Sequence, residues 1–237
     1  TYLDCFFNDL TSLDVSSLTA LTYLNCNSNW TIPSLDVSNN TALTTLACAG
    51  NQLTSLDVSN NTALTDLKCS GNQLTSIDVS NNTALVSFDC QYNQFTSLDV
   101  SNNTALDYML CNNCNLTSLD VSGATALTAL ACNINQLTSL DVSNNTALTL
   151  LKCNNNSLAH LTIGSNIDLT TLTLKAIYNN TSLVIHVGTG YVPGTTGGSG
   201  TGTNLGLQTR VEYATANFTT ANPPWQGSIS SGTTFAI

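Results

Sequence analysis

Positive charge is scarce in this sequence: four Lys and Arg residues stand against fourteen Asp and Glu, for a formal net charge of −10 over 237 residues. Nucleic-acid binding needs stripes of Lys and Arg that four cations cannot supply, so the composition argues against a nucleic-acid partner and against docking on anionic lipid. No apolar run approaches the roughly 20 residues of a spanning helix, which argues against membrane insertion. The hydrophobic fraction of 42% in turn excludes a disordered acidic tail.

Cysteine recurs along the chain at a nearly fixed interval. Eight cysteines follow a 21-residue period with a single 22-residue gap, and they are Cys5, Cys26, Cys48, Cys69, Cys90, Cys111, Cys132 and Cys153. A fixed period of this length predicts a solenoid, in which each turn stacks only on its neighbours. We expect the extra residue, within 29–33, to bulge from a turn, and Leu174 to take the next place in the cysteine register.

One full unit, residues 53–73, reads LTSLDVSNNTALTDLKCSGNQ and contains the pattern L-x-x-L-x-L-x-x-N twice. Each half predicts a short parallel strand followed by a tight turn. Residues two apart in a strand share a face, so Leu56 and Val58 point inward in the first half, as do Leu67 and Cys69 in the second. The predicted fold is an all-β-rich, right-handed solenoid of about nine turns, with two short parallel strands per turn.

This unit resembles the bacterial class of 21-residue leucine-rich repeats that is common in secreted and surface proteins of Bacteroidetes. The resemblance covers residues 1–187, and residues 210–219 resemble the cap that follows such repeats. It implies an extracellular or cell-surface location, binding or adhesion, and no enzymatic activity. We therefore divide the chain into a leucine-rich repeat solenoid, 1–187, and a Gly/Thr-rich loop with a C-terminal cap, 188–237. Phe218, Trp225 and Phe235 of the tail are expected to cover the open edge of the last turn.

Two columns of Asn mark the turns, and we expect them to satisfy buried backbone groups. For the cysteines we favour buried reduced thiols, because neighbouring side chains in a parallel stack point the same way and reach the disulfide torsion with difficulty. A Cys111–Cys114 disulfide and a column of thiolates that bind metal are the alternatives.

The first-half strands repeat an outward Ser-x-Asp-x-Ser motif in seven copies, which stacks carboxylates about 5 Å apart. Ser hydroxyls and bulk counterions would offset their repulsion. Weakly bound calcium is the alternative, since Ca²⁺ accepts flexible oxygen ligands. The candidate ligands form one row: Asp36, Asp57, Asp78, Asp99, Asp120 and Asp141.

The second-half strands differ on their outward side from turn to turn, and a face that varies on a uniform framework is where we expect a partner. Tyr108, Leu110, Ala129, Ala131 and Leu150 are predicted to form one exposed apolar patch, with cations nearby. The candidate partner-binding residues are Tyr23, Lys68, Asp89, Tyr108, Leu110, Leu150 and Lys152. Drift on an idle surface is the alternative explanation of the variation.

The sequence favours an extracellular binding or adhesion module that recognises a protein or glycan at the cell surface through this variable face. A building block that self-associates into a filament or surface layer is the runner-up, and an ice-binding surface comes third. His160 and His186 have no nucleophile at motif spacing, and no hydrolase or metalloprotease motif occurs, so no catalytic residues are assigned. No cofactor beyond the weak calcium sites is expected.

Overall fold

The structure, a computed structural model, describes residues 1–164, 167, 173–176, 179, 183–187, 211–212 and 234–236, and it contains only short strands and turns there. The strands are β1 Tyr2–Asp4, β2 Tyr23–Asn25, β3 Thr45–Ala47, β4 Asp66–Lys68, β5 Ser87–Asp89, β6 Ser97–Asp99, β7 Tyr108–Leu110, β8 Ser118–Asp120, β9 Ala129–Ala131, β10 Ser139–Asp141, β11 Leu150–Lys152, β12 His160–Ile163, β13 Thr173–Lys175, β14 Val184–Val187, β15 Val211–Glu212 and β16 Thr234–Ala236. Over this part of the chain, no helix has the length and apolar character that crossing a bilayer requires.

Nine second-half strands and β15 of the tail form one parallel sheet of ten strands, in the order β1-β2-β3-β4-β5-β7-β9-β11-β13-β15. Neighbours pair at equivalent repeat positions, as Leu24 with Leu46 and Leu46 with Leu67. The nine strands of this sheet that precede β15 enclose eight complete turns, against about nine expected from the sequence. The parallel solenoid predicted from the period is confirmed.

The core is a set of inward columns that run along the solenoid axis. In the unit of residues 53–73, Leu53, Val58, Leu64, Leu67 and Cys69 are all completely buried. Larger side chains enter the same columns in later turns, where Phe88 and Met109 replace the central Leu of the strand. The period-2 assignment of inward residues is therefore confirmed.

Asn side chains form hydrogen bonds with the backbone N–H and C=O groups that have no partner in the strand pairing. Asn72 donates from Nδ2 to the carbonyls of Cys48 and Cys69, both at 3.0 Å, and its Oδ1 accepts from the Leu53 N–H at 3.0 Å. In the second column, Asn61 donates to the carbonyls of Val37 and Asn40. Both columns thus have the structural role expected from the sequence.

The prediction of two strands in every turn is wrong for the first four turns, where the first-half segments do not pair as strands. Pairing occurs between β6 and β8, between β10 and β12, and between β12 and β14. Beside the first two of these pairs a glycine lies against the previous turn: a Cβ on Gly123 would stand 1.7 Å from the Ser101 carbonyl oxygen, and one on Gly164 would stand 2.1 Å from that of Ser143. Asn residues in other turns, such as Asn60, instead donate to a Ser carbonyl of the previous turn. We attribute the pairing of β6 with β8 and of β10 with β12 to this closer approach, which only glycine permits.

Two irregularities alter the register of the stack. The extra residue of the longer cysteine gap bulges as predicted: Trp30 has φ +63° and is exposed, while Ile32 is buried in the next core position. At the other end, the expectation for Leu174 is wrong. Leu174 pairs with Leu151 in the centre of β13, and Ala176 therefore takes the position that a cysteine has in the other turns. This position lies two residues later than a count of 21 from Cys153 predicts.

The tail contributes one short strand to the ten-stranded sheet and one to the four-stranded sheet β10-β12-β14-β16. β15 pairs in parallel with β13, and β16 pairs antiparallel with β14, with Phe235 opposite Ile185. Phe218 and Trp225 lie outside the described residues, so the expected cover over the last turn and the boundary at residue 188 stay predictions.

Candidate interaction surface

The variable face is the outer surface of the ten-stranded sheet, where the first and third residues of each strand from β1 to β11 point outward. The strand register aligns these residues in two columns along the axis. The first column is Tyr2, Tyr23, Thr45, Asp66, Ser87, Tyr108, Ala129 and Leu150, and the second is Asp4, Asn25, Ala47, Lys68, Asp89, Leu110, Ala131 and Lys152. Successive members of a column are about 4.8 Å apart.

An aromatic pair lies at the N-terminal end of this face. The rings of Tyr2 and Tyr23 stack with centroids 4.3 Å apart and an interplanar angle of 10°. The Tyr2 hydroxyl donates to Asp4 at 3.0 Å, and this bond contributes most to raising the pKa of Tyr2 to about 12. The sequence identified Tyr23 but missed Tyr2, although Tyr2 precedes Tyr23 by one repeat length.

Charged side chains occupy the middle of the variable face. The Lys68 ammonium lies 3.4 Å from the Asp66 carboxylate. One turn further, the half-buried Asp89 accepts from the hydroxyl of Ser70 and from the Gln91 side chain. Burial raises the pKa of Asp89 in spite of these bonds. The predicted residues Lys68 and Asp89 are therefore neighbours, since their strands pair residue for residue.

The apolar part of the variable face is smaller than expected. Tyr108 is 43% exposed, while Leu110, Ala129 and Leu150 are half-buried. Ala131 was expected in the exposed patch, but it is only 6% exposed because its methyl group is too short to reach past its neighbours. Tyr108 and Leu150 stand two strands apart, about 10 Å, with Ala129 between them. Two large side chains thus flank a small one.

The register of β13 also differs from the expectation. Counting 21 residues from Leu150 and Lys152 predicts Thr171 and Thr173 as the next members of the two columns. The register instead pairs Thr173 with Leu150 and Lys175 with Lys152. The longer interval before β13 shifts the columns, and Lys175 thereby joins the second column beside Lys152.

The carboxylates of the Asp row are satisfied within their own turns. Each of the six accepts a hydrogen bond from the backbone N–H of the Ser two residues later, at 2.8–2.9 Å. The hydroxyl of that Ser, followed by its N–H, lowers the pKa of Asp57 and Asp78. Asp78, Asp99, Asp120 and Asp141 line a shallow depression of about 680 Å³.

No metal site is evident in the part of the chain that the structure describes, where no three His, Cys, Asp or Glu side chains are grouped to hold an ion. Calcium on the Asp row therefore stays a prediction. His160, at the end of the row, pairs in register with Ser139 as expected from the repeat.

All nine cysteines are free thiols, and eight of them are buried. Burial raises the pKa of Cys26 and Cys132 to about 12 and holds that of Cys48 well above its usual range. Cys114 takes the place of an Asn in the column that includes Asn72, and its thiol donates to the Cys90 carbonyl at 3.3 Å. The expectation of buried reduced thiols is confirmed, and Cys111 and Cys114 are not bonded to each other.

No family model and no curated protein matches the chain, but solved structures do. The functional domain of InlJ from Listeria monocytogenes, which includes a cysteine ladder, has 43% identity and a TM-score of 0.69, covering 78% of this chain and 43% of its own. The internalin InlF of the same species has 25% identity and a TM-score of 0.63, covering 90% of this chain and 58% of its own. A plant ice-binding protein has a TM-score of 0.57 and 19% identity, covering 79% of this chain and 65% of its own, which shows the fold alone.

The fold is thus that of leucine-rich repeat proteins with turns of about 21 residues. The chain spans 43% and 58% of the length of the two internalins it resembles. This similarity supports a protein-binding or surface-interaction module in general. The resemblance to Bacteroidetes proteins in particular stays a prediction.

Proposed function

We propose that this chain is an extracellular or cell-surface binding and adhesion module that recognises a protein through the variable face. The observation that carries the proposal is the contrast between the two sides of one sheet. From β2 to β11 of the ten-stranded sheet, the central residue is a buried apolar side chain, while the outer residues change from aromatic to charged to apolar along the same columns. A framework that needed only stability would not require this variation.

The variable face offers the elements of a protein interface. Tyr108 and Leu150 provide apolar anchors on either side of Ala129, and a side chain of the partner would sit between them. Lys68 and Asp89 add fixed charges three and two strands away from Ala129, and charges at the rim of an interface select the partner and its orientation. This mixture of charge and apolar surface suits a protein better than an uncharged glycan. We propose no catalytic role for the chain.

The proposal is tested by flow cytometry with the fluorescently labelled chain on a panel of epithelial and bacterial cells. Binding is expected to be lost when the cells are treated with protease beforehand. The double variant Tyr108→Ala/Leu150→Ala should bind at least tenfold more weakly, since two interface anchors exceed about 1.4 kcal/mol together. The matched control is Ser97→Ala/Ser118→Ala, which alters two exposed side chains of the strands that carry the Asp row.

Equal binding by the two double variants would contradict the assignment of the variable face. Size-exclusion chromatography with light scattering addresses the structural alternative. A binding module is expected to elute as a monomer of 24.9 kDa. Filaments that form without a partner and persist in the Tyr108→Ala/Leu150→Ala variant would favour a self-assembling building block instead.

A further inference from the structure

A second surface runs along the solenoid at the turn that follows each cysteine, and the sequence assigned no function to it. We call it the turn edge and define it as the second residue after each of the eight periodic cysteines, together with Trp30. The second residue after each cysteine has a positive φ between 53° and 64° in all eight turns. These residues are Phe7, Ser28, Gly50, Gly71, Tyr92, Asn113, Ile134 and Asn155.

The left-handed backbone of the turn edge is imposed by hydrogen bonds between turns. The N–H of Gly50 donates to the Ser70 carbonyl at 2.8 Å, and the N–H of Tyr92 donates to the Asn112 carbonyl at 3.0 Å. Glycine and Asn tolerate this conformation, and they occupy it at Gly50, Gly71 and Asn113. Tyr and Ile do not adopt it readily, and a β-branched residue there is a genuine outlier.

Large side chains nevertheless occupy this strained edge and project into solvent. Trp30 is 59% exposed, Tyr92 is 55% exposed and Ile134 is 46% exposed. None of them contributes to the core, so packing does not explain their presence. Strained residues persist where they serve a function, and the strain here is combined with exposed apolar surface.

The spacing of these side chains follows the turns. Trp30 and Tyr92 lie three turns apart, about 14 Å, with only the glycines Gly50 and Gly71 between them. Ile134 lies two turns beyond Tyr92, about 10 Å. From Trp30 to Ile134 the edge is therefore a row of separate apolar platforms, and Phe7, 69% exposed one turn before Trp30, adds a further aromatic side chain at its N-terminal end.

The polar residues between the platforms are uncharged. From turn two to turn eight, the segments from each cysteine to the next core residue contain no Asp, Glu, Lys, Arg or His, in a chain whose net charge is −10. Amides take their place, and Gln52, Gln73, Gln94 and Gln136 are exposed along the same edge. An amide offers a donor and an acceptor side by side, which matches the paired hydroxyls of a sugar.

From this combination we propose that the turn edge binds a neutral, extended polysaccharide that lies parallel to the solenoid axis. Pyranose rings would stack by their apolar faces on Trp30 and Tyr92, and the exposed Gln side chains would hydrogen-bond the sugar hydroxyls. The rise of one turn, about 4.8 Å, is close to the length of one sugar unit in an extended chain, so successive turns meet successive units. The net negative charge of the protein disfavours anionic glycans.

Affinity electrophoresis tests the proposal, with the whole chain run through gels that contain hydroxyethyl cellulose, galactomannan, xylan or alginate. At least one neutral polysaccharide is expected to retard the chain, and the anionic alginate is not. The double variant Trp30→Gly/Tyr92→Gly should lose at least tenfold in affinity, and glycine keeps the left-handed backbone. Leu18→Ala, which removes an exposed apolar side chain outside the turn edge, is the control and should bind like the parent chain.

Three results of the electrophoresis would overturn the proposal. These are an absence of retardation by all neutral polysaccharides, retardation by alginate alone, and equal retardation of the glycine variant and the parent chain. Binding of the turn edge to a protein would also show as a loss of protease-sensitive cell binding in Trp30→Gly/Tyr92→Gly, and this too would overturn it. The outcome is independent of the variable face, because Tyr108 and Leu150 are unchanged in these variants.

Discussion

Replacement of Asn72 by Ala should destabilise the solenoid far more than replacement of any exposed Asn. Asn72 is buried, and its side chain satisfies the carbonyls of Cys48 and Cys69 and the N–H of Leu53. The Ala variant leaves these three backbone groups without that partner. At about 1 kcal/mol for each group, the free energy of unfolding should fall by about 3 kcal/mol.

The assay is urea unfolding followed by circular dichroism at pH 7, with Asn60→Ala as the matched control. Asn60 is exposed and makes one 3.4 Å bond to the Ser38 carbonyl, so its loss should cost less than about 0.5 kcal/mol. With an m value of about 3 kcal/mol/M, Asn72→Ala should lower the urea midpoint by about 1 M. A loss below about 1 kcal/mol, or equal losses in the two variants, would refute the structural role of the ladder.

A second substitution at the same position adds a pH dependence. In Asn72→Asp, a buried carboxylate faces the carbonyl oxygens of Cys48 and Cys69, which raises its folded-state pKa above the unfolded value of about 3.9. The folded variant then binds a proton more tightly than the unfolded chain does. Its stability relative to the parent should therefore be lowest at pH 7 and recover as the pH falls toward 4. A difference that does not change with pH would contradict this reasoning.

Three further predictions concern the thiols, the turn edge and the Asp row. Because burial raises the pKa of the Cys132 thiol and shields it from the reagent, iodoacetamide at pH 8 should modify the half-exposed Cys5 first and Cys132 only after unfolding, as measured by mass spectrometry. Early modification of Cys132 would contradict it. Ile134→Gly should stabilise the chain by about 0.5–1 kcal/mol in urea unfolding, since relief of about 1–2 kcal/mol of strain exceeds the entropic cost of glycine; a loss of stability would contradict the strain. The pKa values of Asp57 and Asp78 are lowered in the fold, so their contribution to stability is present above about pH 4 and lost as the pH falls below it. The urea midpoint should thus drop less between pH 7 and pH 3 in Ser59→Ala/Ser80→Ala, and an equal drop would contradict the assigned cause.

The repeating features of the fold could be predicted from the sequence because each turn contacts only its neighbours. A position that is buried in one turn, such as Leu67, is buried in the next for the same local reason. The Asn ladder followed in the same way, since a polar residue at a fixed place in an apolar repeat must satisfy a backbone group that recurs with it. The candidate residues Tyr108 and Leu150 could be placed on one face by the same register.

The features that differ between turns could not be predicted so well. Ala131 has the pattern of an outward residue, but its exposure depends on the size of its neighbours in adjacent strands. Leu174 fits the regular register by number, yet two additional residues before β13 place it one position earlier in the repeat's inward pattern. The turn edge was also missed, because positive φ values are a property of the backbone path and the cysteine spacing does not reveal them.

The sequence by itself determined the solenoid, its period, its inward columns and its two Asn ladders, because these depend on local periodicity and on the alternation of residues in a strand. Only the tertiary structure decided how closely successive turns approach. The contacts at Gly123 and Gly164 show this, since β6 pairs with β8 and β10 pairs with β12 beside the two places where a missing side chain lets the backbones meet. The tertiary structure also decided the exposure of Tyr92 and Ile134. Hydrogen bonds between turns set a positive φ at these positions whatever the side chain is.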